Sequence, residues 1–171
     1  SFNGNKTVTC GGGGALVTND AALAKRAKHL TTQAKVPHPW AFIHDSIGYN
    51  YRMPNLNAAL ACAQLEQLET FIENKRQLAE KYASFFKGID VQYVNESENA
   101  KANFWLNAIL FNDVIERDHF LAYSNDKGVM ARPVWELMHR LPMFENSVKT
   151  EMPNGIWIAD RLVNIPSSIR L

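Results

Sequence analysis

The spacing of hydrophobic and polar residues predicts helices separated by short strands and one long irregular segment. Apolar residues at helical spacing predict an amphipathic helix over residues 20–30, which Asn19 or Asp20 can cap. The same periodicity continues over residues 55–86 and predicts a single long helix that begins after Pro54. Between these helices, prolines, aromatic residues and two histidines break every pattern, which is typical of functional loops.

Short alternating or apolar runs predict strands at both ends of the chain. Near the N-terminus, extended runs at residues 7–9 and 15–18 flank four consecutive glycines, which predicts a tight turn. In the C-terminal part we expect strands at residues 89–93, 104–111 and 129–134, and helices at residues 116–126, 135–140 and 155–161. This succession predicts a small α/β layer that follows the long helix.

Composition narrows the class of protein. The chain has 171 residues, of which 46% are hydrophobic and 20% are charged, as in ordinary globular domains. A net charge of +1 argues against nucleic acid or anionic membranes as general partners. No apolar run approaches the roughly 20 residues of a membrane span. Cys10 and Cys62 have no metal-binding or redox spacing, so we expect no metal site and a cytoplasmic location.

Lys6 is the first candidate for chemistry, because it lies between an Asn-Gly-Asn turn and the glycine run. A lysine amine is a nucleophile only when it is neutral, and burial or imine formation achieves that state. A solvated lysine beside a hairpin is the alternative. The glycine run lacks the Lys-Ser/Thr of a nucleotide-binding P-loop, so nucleotide binding there is a weaker hypothesis. Cys10 has no assignable histidine partner and is interpreted as a small buried hydrophobe.

A second candidate segment is Gly48–Pro54, with the sequence Gly-Tyr-Asn-Tyr-Arg-Met-Pro. Two phenols, an amide and a guanidinium stand directly before a predicted helix. Arginine offers a planar pair of donors and a helix N-terminus offers a positive field, so the segment suits phosphate or sugar hydroxyls. A packed aromatic turn with a surface arginine is the alternative, and the residues alone leave both open.

Together these segments resemble the DegT/DnrJ/EryC1/StrS aminotransferases, which are pyridoxal-phosphate enzymes of fold type I that act on nucleotide-linked keto sugars. The likeness rests on Ser1–Lys6 with the glycine run, on Gly48–Leu60, on Arg132–His139 and on Asn164–Ser168. The subgroup that it resembles most aminates UDP-linked 4-keto-6-deoxy-N-acetylhexosamines, precursors of bacillosamine and legionaminic acid. Glycine stands at position 12, where the family often has glutamate.

The resemblance assigns roles residue by residue. Lys6 matches the lysine that forms the Schiff base with pyridoxal 5′-phosphate, and Ser1 matches a hydroxyl that contacts the cofactor phosphate. Asn50 matches an amide that reaches the phosphate of the neighbouring subunit's cofactor, which implies a homodimer with shared sites. Arg52 and His139 fall where the family contacts the nucleotide-sugar. A lysine at position 6 also separates the chain from the family's dehydratases, which have histidine there.

The resemblance further implies that the chain is the C-terminal half of a longer enzyme. Residues 1–54 would end the large cofactor-binding domain, residues 55–86 would form a connecting helix, and residues 87–171 would form the small domain. The implied activity is a transamination in polysaccharide biosynthesis, with L-glutamate as the expected donor. The isolated fragment is expected to be inactive. The alternative is a catalytically silent module that only binds or dimerises.

Overall fold

A computed structural model describes residues 1–170, and the chain forms two compact units, Ser1–Leu68 and Glu69–Leu171. We number the helices and strands in chain order. They are α1 (Ala21–Thr31), β1 (Lys35–Val36), β2 (Ile43–His44), α2 (Asn55–Leu65), α3 (Leu68–Phe85), β3 (Gln92–Tyr93), β4 (Asn107–Leu110), α4 (Val114–Asp126), β5 (Arg132–Pro133), α5 (Pro153–Ala159) and β6 (Leu162–Ile165). Two short 3₁₀ helices, Met138–Arg140 and Pro142–Phe144, lie between β5 and α5. No helix among residues 1–170 is long and apolar enough to cross a membrane.

The first unit contains the predicted helix α1, and its start is set by local chemistry. The Asp20 carboxylate accepts hydrogen bonds from the amides of Ala22 (2.8 Å) and Leu23 (3.0 Å), which satisfies two donors that a helix N-terminus leaves free. The predicted strands at residues 7–9 and 15–18 are wrong, because residues 7 and 8 form bends and residues 9 and 15–18 have no regular secondary structure. The Thr9 hydroxyl donates to the carbonyl of Phe2 at 3.0 Å.

The prediction of one continuous helix over residues 55–86 is also wrong. The segment forms two helices, α2 and α3, which are separated at residues 66–67. The backbone keeps helical dihedral angles at Glu66, but the Gln67 amide donates to the carbonyl of Gln64, three residues back. This tighter turn preserves the apolar spacing almost unchanged, so periodicity alone does not reveal the interruption.

The second unit is built on a four-stranded antiparallel sheet with the strand order β3-β4-β6-β5. The central pair is β4 and β6, in which Ile109 lies opposite Val163 and both side chains are fully buried. The core also contains Phe111, Ala131 and Ile165, with side chains of α3, α4 and β3 packed against it. Alternate residues of β4 and β6 point into this core, as expected for a sheet with one buried face.

Helix α3 fastens the segment that follows β6. The buried Lys75 ammonium donates to the carbonyl of Ser167 at 2.6 Å, and burial lowers the pKa of this lysine. One residue earlier, the Asn74 amide donates to the carbonyl of Arg170 (2.7 Å) and its oxygen accepts from the Arg170 amide (2.9 Å). Side chains of α3 therefore hold the last described residues of the chain in place.

Candidate functional site

The loop that carries Lys6 is fixed by backbone hydrogen bonds. Within the loop, the Lys6 amide donates to the carbonyl of Asn3 at 3.0 Å. The Phe2 amide donates to the carbonyl of Gly13 (2.9 Å), and the Phe2 carbonyl accepts from the amide of Cys10 (3.1 Å). The lysine loop and the glycine turn are therefore one bonded structure, which limits the positions that the Lys6 backbone can take.

The backbone conformation of the glycine turn requires glycine at several positions. Gly11 and Gly13 have φ angles of 84° and 98°, a region that side chains with a Cβ rarely adopt. A Cβ on Gly14 would lie 3.7 Å from the Cα of Ser1. The Cys10 side chain is buried and its thiol donates to the carbonyl of Gly12. The interpretation of Cys10 as a packed residue, rather than a nucleophile, agrees with this environment.

The second segment pairs with the end of α1 through backbone bonds. The Tyr49 amide donates to the carbonyl of Leu30 (2.7 Å), and the Tyr51 amide donates to that of Thr31 (3.0 Å). Gly48 packs so closely on residues 33–34 that a Cβ would overlap their backbone. The rings of Tyr49 and Tyr51 stack with centroids 5.1 Å apart, and between them Asn50 is exposed.

A histidine–carboxylate pair holds the irregular loop that precedes this segment. His29 Nε2 on α1 lies 2.6 Å from the Asp45 carboxylate, which follows β2. This hydrogen bond is the main reason that the pKa of Asp45 is below its ordinary value. The hairpin of β1 and β2 is therefore tied to α1 at its base, close in the sequence to Gly48.

Two contacts join the lysine loop and the second segment within the first unit. The Met53 side chain lies 3.1 Å from the position of a Cβ on Gly13. The Asn57 side-chain amide, in the first turn of α2, donates to the carbonyl of Cys10. The structure thus brings the segments of Ser1, Lys6 and Arg52 to one region.

The residues around Lys6 have groups that suit pyridoxal phosphate. Lys6 is half-buried, and next to it Thr7 has a buried hydroxyl with no hydrogen-bond partner among residues 1–170. Ser1 is exposed, and its oxygen accepts the Asn3 amide at 3.5 Å, which leaves the hydroxyl proton for another acceptor. Within the described residues, nothing lies within 4 Å of a Cβ placed on Gly4 or Gly12. An amine, two hydroxyls and free space fit an aldehyde with a phosphate group.

His139 belongs to the second unit, whereas Lys6 belongs to the first. It lies in the first 3₁₀ helix and lines a cavity of about 550 Å³ with Met138, Phe144, Lys149 and other residues. Its Nδ1 atom is buried and has no hydrogen-bond partner within residues 1–170. A half-buried imidazole of this kind can donate to, or accept from, a polar ligand in that cavity.

Sequence reasoning missed the roles of Thr7 and Asn57. An orphaned hydroxyl is visible only when the surroundings of a side chain are known. The Asn57 contact joins residues that are 47 positions apart, and a single sequence carries no signal for such a pairing. Among the described residues, no group of three or more His, Cys, Asp or Glu side chains could hold a metal ion.

Comparison with known proteins gives consistent matches over the whole chain. The model of the DegT/DnrJ/EryC1/StrS aminotransferase family matches residues 1–171. The chain is 38% identical over 167 residues to a GDP-perosamine synthase of Escherichia coli O157:H7, covering 98% of the chain and 45% of that protein. It is 36% identical over 170 residues to a GDP-perosamine synthase of Vibrio cholerae, covering 98% of the chain and 46% of that protein.

A solved structure shows the same fold. PseC of Helicobacter pylori, an aminotransferase involved in the biosynthesis of pseudoaminic acid, superposes with a TM-score of 0.91 at 20% identity, covering 98% of the chain and 47% of PseC. The predicted fold class, an α/β fragment of a fold type I aminotransferase, is confirmed. The chain spans a little under half the length of each of these proteins.

Proposed function

Because the chain belongs to the DegT/DnrJ/EryC1/StrS aminotransferase family, we propose that it works as part of a pyridoxal-phosphate-dependent sugar aminotransferase. The proposed substrate is a nucleotide-linked 4-keto-6-deoxy sugar, and the proposed amino donor is L-glutamate. The curated relatives are named for a GDP-linked sugar, whereas the sequence motifs resemble a UDP-specific subgroup. The proposal is therefore made for a nucleotide-linked sugar, with the nucleotide to be identified by assay.

The observation that carries this proposal is the fixed lysine loop. Lys6 is half-buried on a loop bonded to a glycine turn, beside the unpartnered hydroxyl of Thr7. A lysine that holds a cofactor must be kept in a defined position, and a loop fixed by backbone hydrogen bonds provides that position. A lysine that only solubilises a surface needs neither a bonded loop nor neighbouring free space.

The proposed mechanism assigns a role to each of five residues. Pyridoxal phosphate, when bound, supplies the electron sink for the reaction. Lys6 Nζ holds the cofactor in the resting enzyme, and as a neutral amine it removes a proton from the donor's α-carbon, acting as general base and then as general acid. Ser1 donates its hydroxyl proton to a phosphate oxygen, and Asn50 donates its amide to the phosphate in a neighbouring subunit. Arg52 and His139 bind the nucleotide-sugar.

The proposal includes an arrangement of domains. We assign residues 1–54 to the large cofactor-binding domain, residues 55–86 to the connection and residues 87–171 to the small domain. The complete protein would be a cytoplasmic homodimer in polysaccharide biosynthesis, and two free cysteines suit that compartment. The chain alone is proposed to be inactive, because relatives have about as much chain again beyond the matched part.

A second candidate function is a catalytically silent binding or dimerisation module. The chain covers less than half the length of its relative, which favours this function for the chain by itself. The exposed aromatic side chains of Trp40, Phe42 and Tyr51 in the first unit also favour it, because exposed apolar patches often mark interaction surfaces. This candidate requires no imine at Lys6, so the two functions predict different spectra.

The test is the visible absorption of the full-length protein with added pyridoxal phosphate. We expect a yellow imine band in the wild type and in Lys25→Ala, a control at an exposed position of α1. Lys6→Ala should lose the band and the transfer of an amino group to the sugar. If the wild type shows no band, or Lys6→Ala keeps it, the proposed role of Lys6 is wrong and the silent module is favoured.

A further inference from the structure

Asn57 connects the helix that follows the second motif with the loop that carries Lys6. It lies in the first turn of α2 and is half-buried, whereas Asn55, two residues earlier, is exposed. The Asn57 amide donates to the carbonyl of Cys10. Cys10 directly precedes the glycine turn, so this bond links the side chain of an α2 residue to the start of the turn.

The bond is the first of a continuous series that ends at the lysine loop. Cys10, whose carbonyl accepts from Asn57, donates its own amide to the carbonyl of Phe2 at 3.1 Å. Phe2 in turn donates its amide to the carbonyl of Gly13 at 2.9 Å, and the Thr9 hydroxyl also donates to the Phe2 carbonyl at 3.0 Å. Two hydrogen bonds, from Asn57 to Cys10 and from Cys10 to Phe2, thus link Asn57 to the loop that carries Lys6.

The turn gains from an anchor outside it because its own residues restrict the backbone little. Four consecutive glycines have the largest backbone freedom of any sequence, and two of them adopt positive φ angles. Side-chain packing cannot fix a segment that has no side chains. The Asn57 hydrogen bond to the carbonyl that precedes the glycines fixes one end of the turn, and the bond from the Phe2 amide to the Gly13 carbonyl fixes the other.

We propose that Asn57 is a positioning residue, which holds the glycine turn and, through Cys10 and Phe2, fixes the loop that carries Lys6. The catalytic consequence of this proposal rests on the proposed function, in which Lys6 must be held where it forms the imine. Asn57 itself touches neither cofactor nor substrate in this account. It acts through the turn, so its replacement should loosen the loop even when no cofactor is bound.

The sharpest variant is Asn57→Asp, which keeps the size of the side chain. It replaces the donating NH₂ group by a carboxylate oxygen, which repels the carbonyl of Cys10 and leaves it without its donor. Asn55→Asp is the matched control, because it makes the same change in the same helical turn at an exposed position. Asn57→Ala removes the donor without adding charge and favours the helix, so it decides the question if the aspartate variant does not fold.

The experiment uses the full-length protein and measures hydrogen exchange of peptides that span residues 1–14, first without pyridoxal phosphate. We expect Asn57→Asp and Asn57→Ala to speed exchange in these peptides by about tenfold, the effect of losing one hydrogen bond and leaving a buried acceptor unpaired. Asn55→Asp should exchange like the wild type, and exchange in α4 should be unchanged in all variants. Unchanged exchange at residues 1–14 in the folded Asn57 variants would overturn the proposal.

The same proteins are then loaded with pyridoxal phosphate, and the visible imine band is followed against pH. We expect the apparent pKa of the band to move in Asn57→Ala and to stay in Asn55→Asp, because a loosened loop changes the surroundings of the Lys6 amine. No band in the wild type would contradict the proposed function, while faster exchange in the variants would still support the positioning role. A wild-type band whose pH profile and loop exchange are the same in Asn57→Ala would overturn the positioning role alone.

Discussion

The two compact units of the chain hold their structures by different means. The second unit has a sheet whose central side chains, Ile109 and Val163, are fully buried in an apolar core. The first unit buries mostly small residues, such as Val8, Cys10 and Ala34, and leaves most of its large aromatic residues exposed. Its loops are fixed by backbone hydrogen bonds, by an aspartate cap and by the His29–Asp45 pair.

This difference follows the chemistry that each unit is proposed to carry. The proposed cofactor residues, Ser1, Lys6 and Asn50, all lie in the unit that has little core. A reactive amine needs free space beside it, and glycines and exposed loops provide that space at the expense of packing. We therefore expect substitutions in the second unit to change stability strongly, and substitutions in the first to act locally and on function.

The largest effect on stability is expected from Ile109→Ala in β4. The side chain is completely buried, so its truncation should lower the free energy of unfolding of the second unit by about 3 kcal/mol through lost burial and an unfilled cavity. Native-state hydrogen exchange of the β4 and β6 amides measures this loss. Ile115→Ala, at a 62% exposed position, is the control and should change it by less than about 0.5 kcal/mol. Equal losses in the two variants would contradict the assigned core.

A smaller effect is expected from Tyr93→Phe in β3. The Tyr93 hydroxyl donates to the Asn107 side-chain oxygen at 2.6 Å, so the change should cost about 1 kcal/mol at neutral pH. Burial, with a smaller contribution from Tyr82, raises the pKa of Tyr93 from 10.0 to about 12. The unfolded chain therefore loses this proton first, and the contribution of Tyr93 to stability, complete below pH 10, should be lost as pH rises towards 12.

Urea unfolding at alkaline pH tests this contribution. The wild type and Tyr123→Phe, a control at a 66% exposed tyrosine, should lose stability as pH rises from 10.0 to about 12. Tyr93→Phe should show a shallower loss over the same range. An identical slope in Tyr93→Phe and the wild type would show that the phenol is not buried as the structure has it.

The smallest effect compares the caps of α1 and α4, one in each unit. Asp113 caps α4 as Asp20 caps α1, by accepting amides two and three residues ahead at 2.8 and 2.9 Å. Each Asp→Ala change should cost its helix about 1 kcal/mol. Asp20→Ala should speed exchange in α1 alone, whereas Asp113→Ala should lower the protection of the whole sheet. If both variants changed exchange only in their own helix, or both changed it throughout their unit, the proposed difference in cooperativity between the units would be wrong.

The elements that local chemistry determines could be predicted from the sequence. Helices α1 and α4 each have a capping carboxylate within their own segment, and the structure has them within two residues of the predicted bounds. The hairpin of β1 and β2 was missed because its strands contain two residues each, too few for a pattern. Strand β6 was missed because its pairing with β4 joins distant parts of the chain.

The candidate site was predictable only through its motifs. The glycine run and the Gly48–Pro54 segment identified the family, and the structure brings both segments together in the first unit. The anchoring role of Asn57 was not predictable, because it depends on a contact with Cys10 that only the fold creates. The roles of Lys6, Ser1, Asn50, Arg52 and His139 remain predictions that need direct measurement.

The most direct test of the central claim is chemical trapping at Lys6. The full-length protein, loaded with pyridoxal phosphate, is reduced with borohydride and digested, and the modified peptide is identified by mass spectrometry. The account predicts one labelled peptide that contains Lys6, and no label in Lys6→Ala, while Lys25→Ala is labelled like the wild type. A label on a different lysine of the wild-type protein, with Lys6 unmodified, would contradict it.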